Sequence, residues 1–325
     1  MVSTYLPGRA HPVQSEYALF GPLAPLLARE TCTDVVVNGD EVWVDAGTGF
    51  ERVEVWFEQP VETLVRSLIS AGGRHIDEVS PLADVRIGNV RVHAALPPVA
   101  THGPLLSLRI ARPARFTLDE LVRARTLRSW QAAALSEATA NGVSVLISGA
   151  TGSGKTTLLR ALCAAVPPTQ RIITIEDVAE LQVPHPHAVS LEVRQSNIEG
   201  AGAIGLVELV RAALRMRPDW LAVGECRGAE IREFLAALNT GHHGGGTIHA
   251  NSIADVPARL EALGALAGLS EAALARQAAS AFGLVVHLQR RGTERFAHLA
   301  TLGLVDGVLQ LELVGGDGDV DECVV

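Results

Sequence analysis

The sequence predicts an α/β protein: a mostly parallel sheet wrapped by helices around a glycine-rich loop, with a smaller α+β unit ahead of it. Three observations carry that prediction. The stretch "SGATGSGKTTLLRAL", residues 148–162, follows an apolar strand and runs directly into an apolar helix. Beyond residue 143, strand-like runs alternate with helix-length segments, as a parallel sheet with crossover helices requires. Residues 18–112 read instead as short strands separated by turn residues, with one periodic helix among them.

Taken in order, residues 1–17 mix Pro, Gly, His and Ser with few apolar anchors and predict a flexible N-terminus. The N-terminal α+β domain spans 18–112. It begins with a helical stretch near 18–30, followed by "TDVVVNG", "EVWVDAG" and "ERVEVWF" as strands. Asn38-Gly39-Asp40 between the first two reads as a hairpin turn, because Asn and Gly accept positive φ cheaply. A helix at 61–72 and short strands in "VRIGNVRVHAAL" and "LLSLRI" complete the domain. Pro113 opens a linker, 113–126, into the helix "RTLRSWQAAALSEATANG", which closes at Asn141-Gly142.

The second domain spans 127–314. Its strands are "VSVLISG", "RIITIED", "AVSLEV" and "WLAVGE", alternating with helices at 155–165, 204–216, 228–239, 253–266 and 270–281. "GLVVHLQRR", "RFAHLATLGLV" and "VLQLELV" close it, the last two joined in a hairpin at Asp306-Gly307, and 315–325 predicts a flexible tail.

Composition narrows the function classes. Lys and Arg total 27 against 36 Asp and Glu, a formal charge of -9, so the molecule as a whole repels nucleic acid and anionic lipid. Four isolated cysteines, with no C-x-x-C pair, fit a reduced cytoplasm and neither a disulfide framework nor a zinc knuckle. With no run of 18 apolar residues, membrane association is expected through a partner.

The opening stretch carries the chemistry. Gly149, Gly154, Lys155 and Thr156 match G-x-x-x-x-G-K-[ST], within the loop Gly149, Ala150, Thr151, Gly152, Ser153, Gly154, Lys155, Thr156, Thr157. In such a loop backbone N–H groups converge on phosphate oxygens where a side chain would block the approach. The following helix adds its positive N-terminal dipole. Lys155 then reaches the β- and γ-phosphates of ATP, and the Thr156 hydroxyl ligates Mg2+. Glu225 ends the run "WLAVGE" where a second nucleotide carboxylate belongs, at a strand's C-terminal end, an ordinary strand-end glutamate being the plainer alternative. Glu176-Asp177 closes "RIITI" in the same way, so two carboxylates could divide Mg2+ coordination and water activation. In "TGHHGGGTIHANS", 240–252, the glycines read as a flexible loop and His249 as a γ-phosphate contact, with zinc binding and a purely structural histidine as the other readings.

The ordered set "GATGSGKTT", "TIEDVAELQVPHPHAVSLEVR", "LVRAALRMRPDWLAVGECRGAE" and "NTGHHGGGTIHANS" resembles the type II/IV secretion and pilus-assembly ATPases, with their Walker A, Asp box, glutamate-type Walker B and His box. "LVRAALRMRPD" and "PHPHAVSLEVR" look closest to the tight-adherence (Flp) pilus and conjugation-associated branch, and the likeness runs from about 25 to 290. The resemblance implies a RecA-like ATPase domain and a homo-hexameric ring with ATP held between the two domains. It also implies a cytoplasmic motor working on an inner-membrane platform protein. By motif it assigns Lys155 and Thr156 to phosphate and Mg2+, Glu176 to water activation, Glu225 to the metal and His249 to the γ-phosphate. Arg91, Arg109, Arg194 and Arg215 become the candidates for stabilising charge on the transferring phosphoryl group, and Arg227 completes a Glu-x-Arg form of Walker B. A nucleic-acid motor for conjugal transfer is the rival; it needs a basic channel, and the acidic chain with 4% aromatic residues speaks against it. A scaffold that binds ATP without hydrolysing it is the second rival.

Overall fold

The computed structural model describes residues 17–47, 49–110, 116–194, 202–292 and 294–315. The stretches 1–16 and 316–325, within the ends read as flexible, lie outside the described residues. The chain divides into two compact units, whose described parts fall on either side of residues 111–115.

In the N-terminal unit six strands form one antiparallel sheet: β1 (Asp34–Asn38), β2 (Glu41–Asp45), β3 (Phe50–Val53), β4 (Leu82–Ile87), β5 (Val90–Ala95) and β6 (Leu105–Ile110). Their order is β3-β2-β1-β6-β5-β4. Alternation puts Val35, Val37, Val42, Val44, Val92, Leu106 and Leu108 into a core with Leu26 and Leu27 of α1 (Ala24–Leu27) and Val65, Leu68 and Ile69 of α2 (Val61–Ala71). Asn38 pairs with Glu41 across a two-residue turn in which Gly39 has φ +67°.

The C-terminal unit is built on an eight-stranded sheet. Its strands are β7 (Val145–Gly149), β8 (Ile172–Glu176), β9 (Ala188–Glu192), β10 (Trp220–Val223), β11 (His243–Ile248), β12 (Leu284–Arg291), β13 (Glu294–Val305) and β14 (Val308–Leu313). The order is β14-β13-β12-β7-β11-β10-β8-β9; β12 through β9 run parallel, and β13 and β14 add an antiparallel edge. Successive strand residues feed opposite cores. Val145, Ile147, Trp220 and Ala222 pack with α3 (Leu118–Arg123), α4 (Ser129–Ala140) and α5 (Lys155–Ala165) through Leu121, Leu135, Leu158 and Leu162. Leu146, Leu221 and Val223 pack on the other face with α6 (Leu206–Leu214), α7 (Glu230–Leu238), α8 (Val256–Leu266) and α9 (Glu271–Ala281). With helices on both faces, the strands read as continuous apolar runs.

Two sequence expectations need correction. The stretch 113–126, read as a linker, contains α3, whose N-terminus carries a reciprocal cap: Thr117 Oγ1 accepts from the Glu120 amide, and the Glu120 carboxylate accepts from the Thr117 amide. Leu118 and Leu121 bury α3 against the C-terminal unit, which a spacer would not do.

The second correction concerns "HHGGGTIHA". It is no flexible loop but the central strand β11, inserted between β10 and β7. Its glycines serve close packing. A Cβ on Gly244 would lie 2.3 Å from the Leu221 carbonyl oxygen, one on Gly245 2.8 Å from Trp220 Cη2, and one on Gly246 2.7 Å from Phe234 Cε1. The bulk of Trp220 and Phe234 occupies the volume that side chains on β11 would take. Gly244→Ala, whose methyl group meets backbone rather than a movable side chain, is therefore expected to destabilise the domain by about 1–3 kcal/mol. Thermal unfolding checks this, and an unchanged midpoint would contradict it.

Candidate functional site

The candidate site lies at the C-terminal ends of four adjacent parallel strands, β7, β11, β10 and β8, where open α/β sheets place their ligands. Each strand end supplies one element: the glycine loop after β7, His249 after β11, Glu225 two residues past β10, and Glu176 as the last residue of β8. Bringing them side by side requires the strand order, because Gly149 and His249 lie 100 positions apart in sequence.

The loop has the conformation that its glycines permit. Gly154, at φ +104°, is the N-cap of α5, and among the described residues no side chain caps that helix and no acceptor takes its first-turn N–H groups, which face the loop. Gly149 sits against β12: a Cβ there would lie 2.4 Å from the Leu288 carbonyl oxygen. Ser153 Oγ is buried against Gly149 and finds no hydrogen-bond partner among the described residues. Amides without acceptors and a buried free hydroxyl suit a phosphate in the cup. Thr156 and Thr157 occupy the first turn of α5, half-buried.

Lys155 is buried, and its ammonium donates to the Gly149 and Ala150 carbonyls, each at 2.9 Å, with His249 Nδ1 at 3.3 Å. From there the polar groups form a chain. His249 Nε2 lies 2.7 Å from Glu225 Oε1, Arg227 Nη2 donates to Glu225 Oε2 at 2.5 Å, and Arg227 Nη1 lies 3.7 Å from Asp177 Oδ2. Burial pulls the Lys155 ammonium below the usual lysine range, with Glu225 opposing. Burial and then the Lys155 charge hold His249 below the usual histidine range, so the ring is neutral at pH 7 and can accept from lysine at Nδ1. Burial pushes Glu225 up, but the Arg227 hydrogen bond and charge, with His249 and Lys155 behind them, hold it below the usual glutamate range. An ionised carboxylate thus faces the loop lysine across one imidazole.

Glu176 stands one strand farther from the loop. It is buried, and its Oε1 accepts from the amides of Glu180 and Leu181, at 3.0 and 2.9 Å. Gly224 leaves it room, since a Cβ there would come within 2.8 Å of Glu176 Cγ.

Neither Arg194 nor Arg215 takes part in this chain of contacts. Arg194 is exposed at an isolated bridge to Ile204, its guanidinium over Gly202, and Arg215 is exposed at the C-cap of α6. Arg91 and Arg109 belong to the N-terminal unit, as cross-strand partners on β5 and β6, where Arg91 Nε donates to Asp84 Oδ1 at 3.3 Å. Two arginines that no motif flags lie instead against the glycine loop. A Cβ on Gly152 would be 3.9 Å from Arg290 Nη1, and one on Gly154 would be 3.7 Å from Arg295 Cδ. The pairing of β12 with β7 brings Arg290 there, and that of β13 with β12 brings Arg295.

The family described as "Type II/IV secretion system protein" matches residues 18–298. A putative conjugal transfer protein of Mycobacterium tuberculosis is 46% identical over 311 residues, covering 92% of this chain and 88% of the relative. The type IV secretion system protein PtlH of Bordetella pertussis is 36% identical, covering 71% of this chain and 76% of its own. Among solved structures, the ATPase DotB of Legionella pneumophila matches 91% of this chain and 82% of its own, with a TM-score of 0.59 at 22% identity, a likeness of fold.

Proposed function

The chain belongs to the type II/IV secretion system protein family, and on that premise we propose that it is an ATP-hydrolysing motor of a secretion or pilus-assembly machine. The observation that carries the proposal is the contact chain Lys155–His249–Glu225–Arg227, set beside a glycine loop whose helix amides have no acceptor among the described residues. A structural turn has no need of a buried ammonium held opposite an ionised carboxylate.

In this reading the loop amides and Lys155 bind the β- and γ-phosphates. Mg2+ holds phosphate oxygens with few protein ligands, typically one or two carboxylates and a hydroxyl. The hard oxygens of Thr156 and Glu225 suit that demand, although no three His, Cys, Asp or Glu side chains among the described residues gather into a metal cage. Bound Mg2+ would supply neutralisation of charge on the phosphates. Glu176 is the proposed base for water, which attacks the γ-phosphorus as the bond to ADP breaks and inorganic phosphate leaves. The contacts of His249 with Lys155 and Glu225 support the role of registering whether the γ-phosphate is present. Arg194 and Arg215, with Arg91 and Arg109 of the other unit, keep their proposed part in stabilising the transferring group on resemblance alone.

The finer reading is a homo-hexamer at the inner face of the cell membrane, acting through a platform protein and related to the tight-adherence and conjugation-associated motors. Names such as "conjugal transfer protein" among the relatives support the second of these branches. No helix among the described residues is long and apolar enough to cross a membrane.

Phosphate release from ATP with Mg2+ tests the proposal. The purified chain is expected to liberate phosphate, and absence of both turnover and ATP binding would refute it. Stimulation by DNA with a steep salt dependence would favour the nucleic-acid motor instead.

A further inference from the structure

The hairpin β12–β13 carries two arginines for which the reading above has no task. Arg290 and Arg295 are register partners, so their side chains leave the same face of the hairpin side by side. Like charges directly opposite one another in an antiparallel pair repel. Among the described residues neither has a carboxylate partner; Arg290 Nε donates only to the Gly292 carbonyl at 2.8 Å. Both are exposed, and both point along the glycine loop, Arg290 beside Gly152 and Arg295 beside Gly154.

Their flank is informative. β7, which carries the loop, has β11 on one side and β12 on the other. His249 and Glu225 gather on the β11 side, so the terminal phosphate and its metal belong there. A nucleotide seated in the cup must leave it towards the opposite flank, and the hairpin arginines stand on that side. A guanidinium presents planar paired donors that match a phosphate, and two such groups side by side next to the glycine loop suit an anionic ligand.

We propose that Arg290 and Arg295 grip a bound nucleoside triphosphate at its α-phosphate end, on the side away from the bond that is hydrolysed. This rests on the nucleotide reading above. It adds that the same unit supplies a second cationic contact, which fixes the nucleotide whether or not its γ-phosphate is present. Because the contact is equal before and after cleavage, it sets affinity for ATP and ADP alike and leaves the chemical step alone.

Titration calorimetry on the full chain tests this, with ATP in the presence of a metal chelator and, separately, ADP as the probes. The variant Arg290→Gln/Arg295→Gln is expected to lose about tenfold in affinity for each, the size of a lost guanidinium–phosphate hydrogen bond, with KM raised and kcat unchanged. Arg290→Lys/Arg295→Lys should recover part of the loss, and both variants should melt with the wild type, since the side chains are exposed. If the wild type binds ATP and the glutamine variant binds ATP and ADP equally well, the grip is refuted while the nucleotide reading stands. A loss for ATP alone also refutes it, by pointing to the γ-phosphate. If the wild type binds neither nucleotide, the underlying reading falls and takes this one with it.

Discussion

Replacing Lys155 with alanine is expected to reduce ATP hydrolysis at least a hundredfold while leaving the fold intact. Among the described residues the ammonium is the one positive side chain buried at the loop itself, and it faces Glu225 through His249. Removing a preorganised charge from a phosphoryl-transfer site costs on the order of 10²–10³ in rate. Stability should change little. The substitution gives up hydrogen bonds to two loop carbonyls, each worth about 1 kcal/mol, but also removes the desolvation of a buried ammonium. Phosphate release and a thermal melt together check this; undiminished turnover in a folded variant would end the motor account.

Glu225→Gln should behave differently. The carboxylate is the negative centre among Lys155, His249 and Arg227, so its neutralisation leaves an excess of positive charge beside the cup. ATP should bind at least as well as to the wild type, because the loop amides and lysine are untouched and local charge then favours the anion. Hydrolysis should fall by about 10²–10³, since the variant lacks the carboxylate proposed to support the metal. The pair of variants separates binding from chemistry: Lys155→Ala is expected to damage both, Glu225→Gln only the second. A loss of ATP binding in Glu225→Gln as severe as that of the lysine variant would contradict the role given to it.

The legible parts of the protein are those whose signal lies within a short window. The glycine loop announces itself because each special residue is fixed by local backbone need, Gly154 by its positive φ and Lys155 by the helix it opens. The β1–β2 hairpin is equally local, for Gly39 takes the conformation that the turn demands. Strand β11 was hidden for the opposite reason. Three successive glycines have poor strand propensity, and the cause of their presence, the bulk of Trp220 and Phe234, sits elsewhere in the chain. Helix α3 was hidden by its shortness and its nearness to Pro113, although the Thr117–Glu120 cap is itself a sequence signal. The neighbourhood of Lys155, His249 and Glu225 follows from the order β7-β11-β10, that of Arg290 with the loop from the β7–β12 pairing, and that of Arg295 from the β12–β13 register; neither order nor register can be read from any one segment.

The lysine of the loop has one more property. An ammonium carries three protons, and three acceptors already surround this one: two carbonyls of its own loop and one imidazole. An arriving phosphate must therefore displace a resident rather than fill a vacancy. The loop contains its own competitor for the cation, which tempers the grip on nucleotide and offers the lysine somewhere to return as spent ligand departs. The motor proposed above must empty its seat once per cycle, and it gains from a charge with a home to go back to.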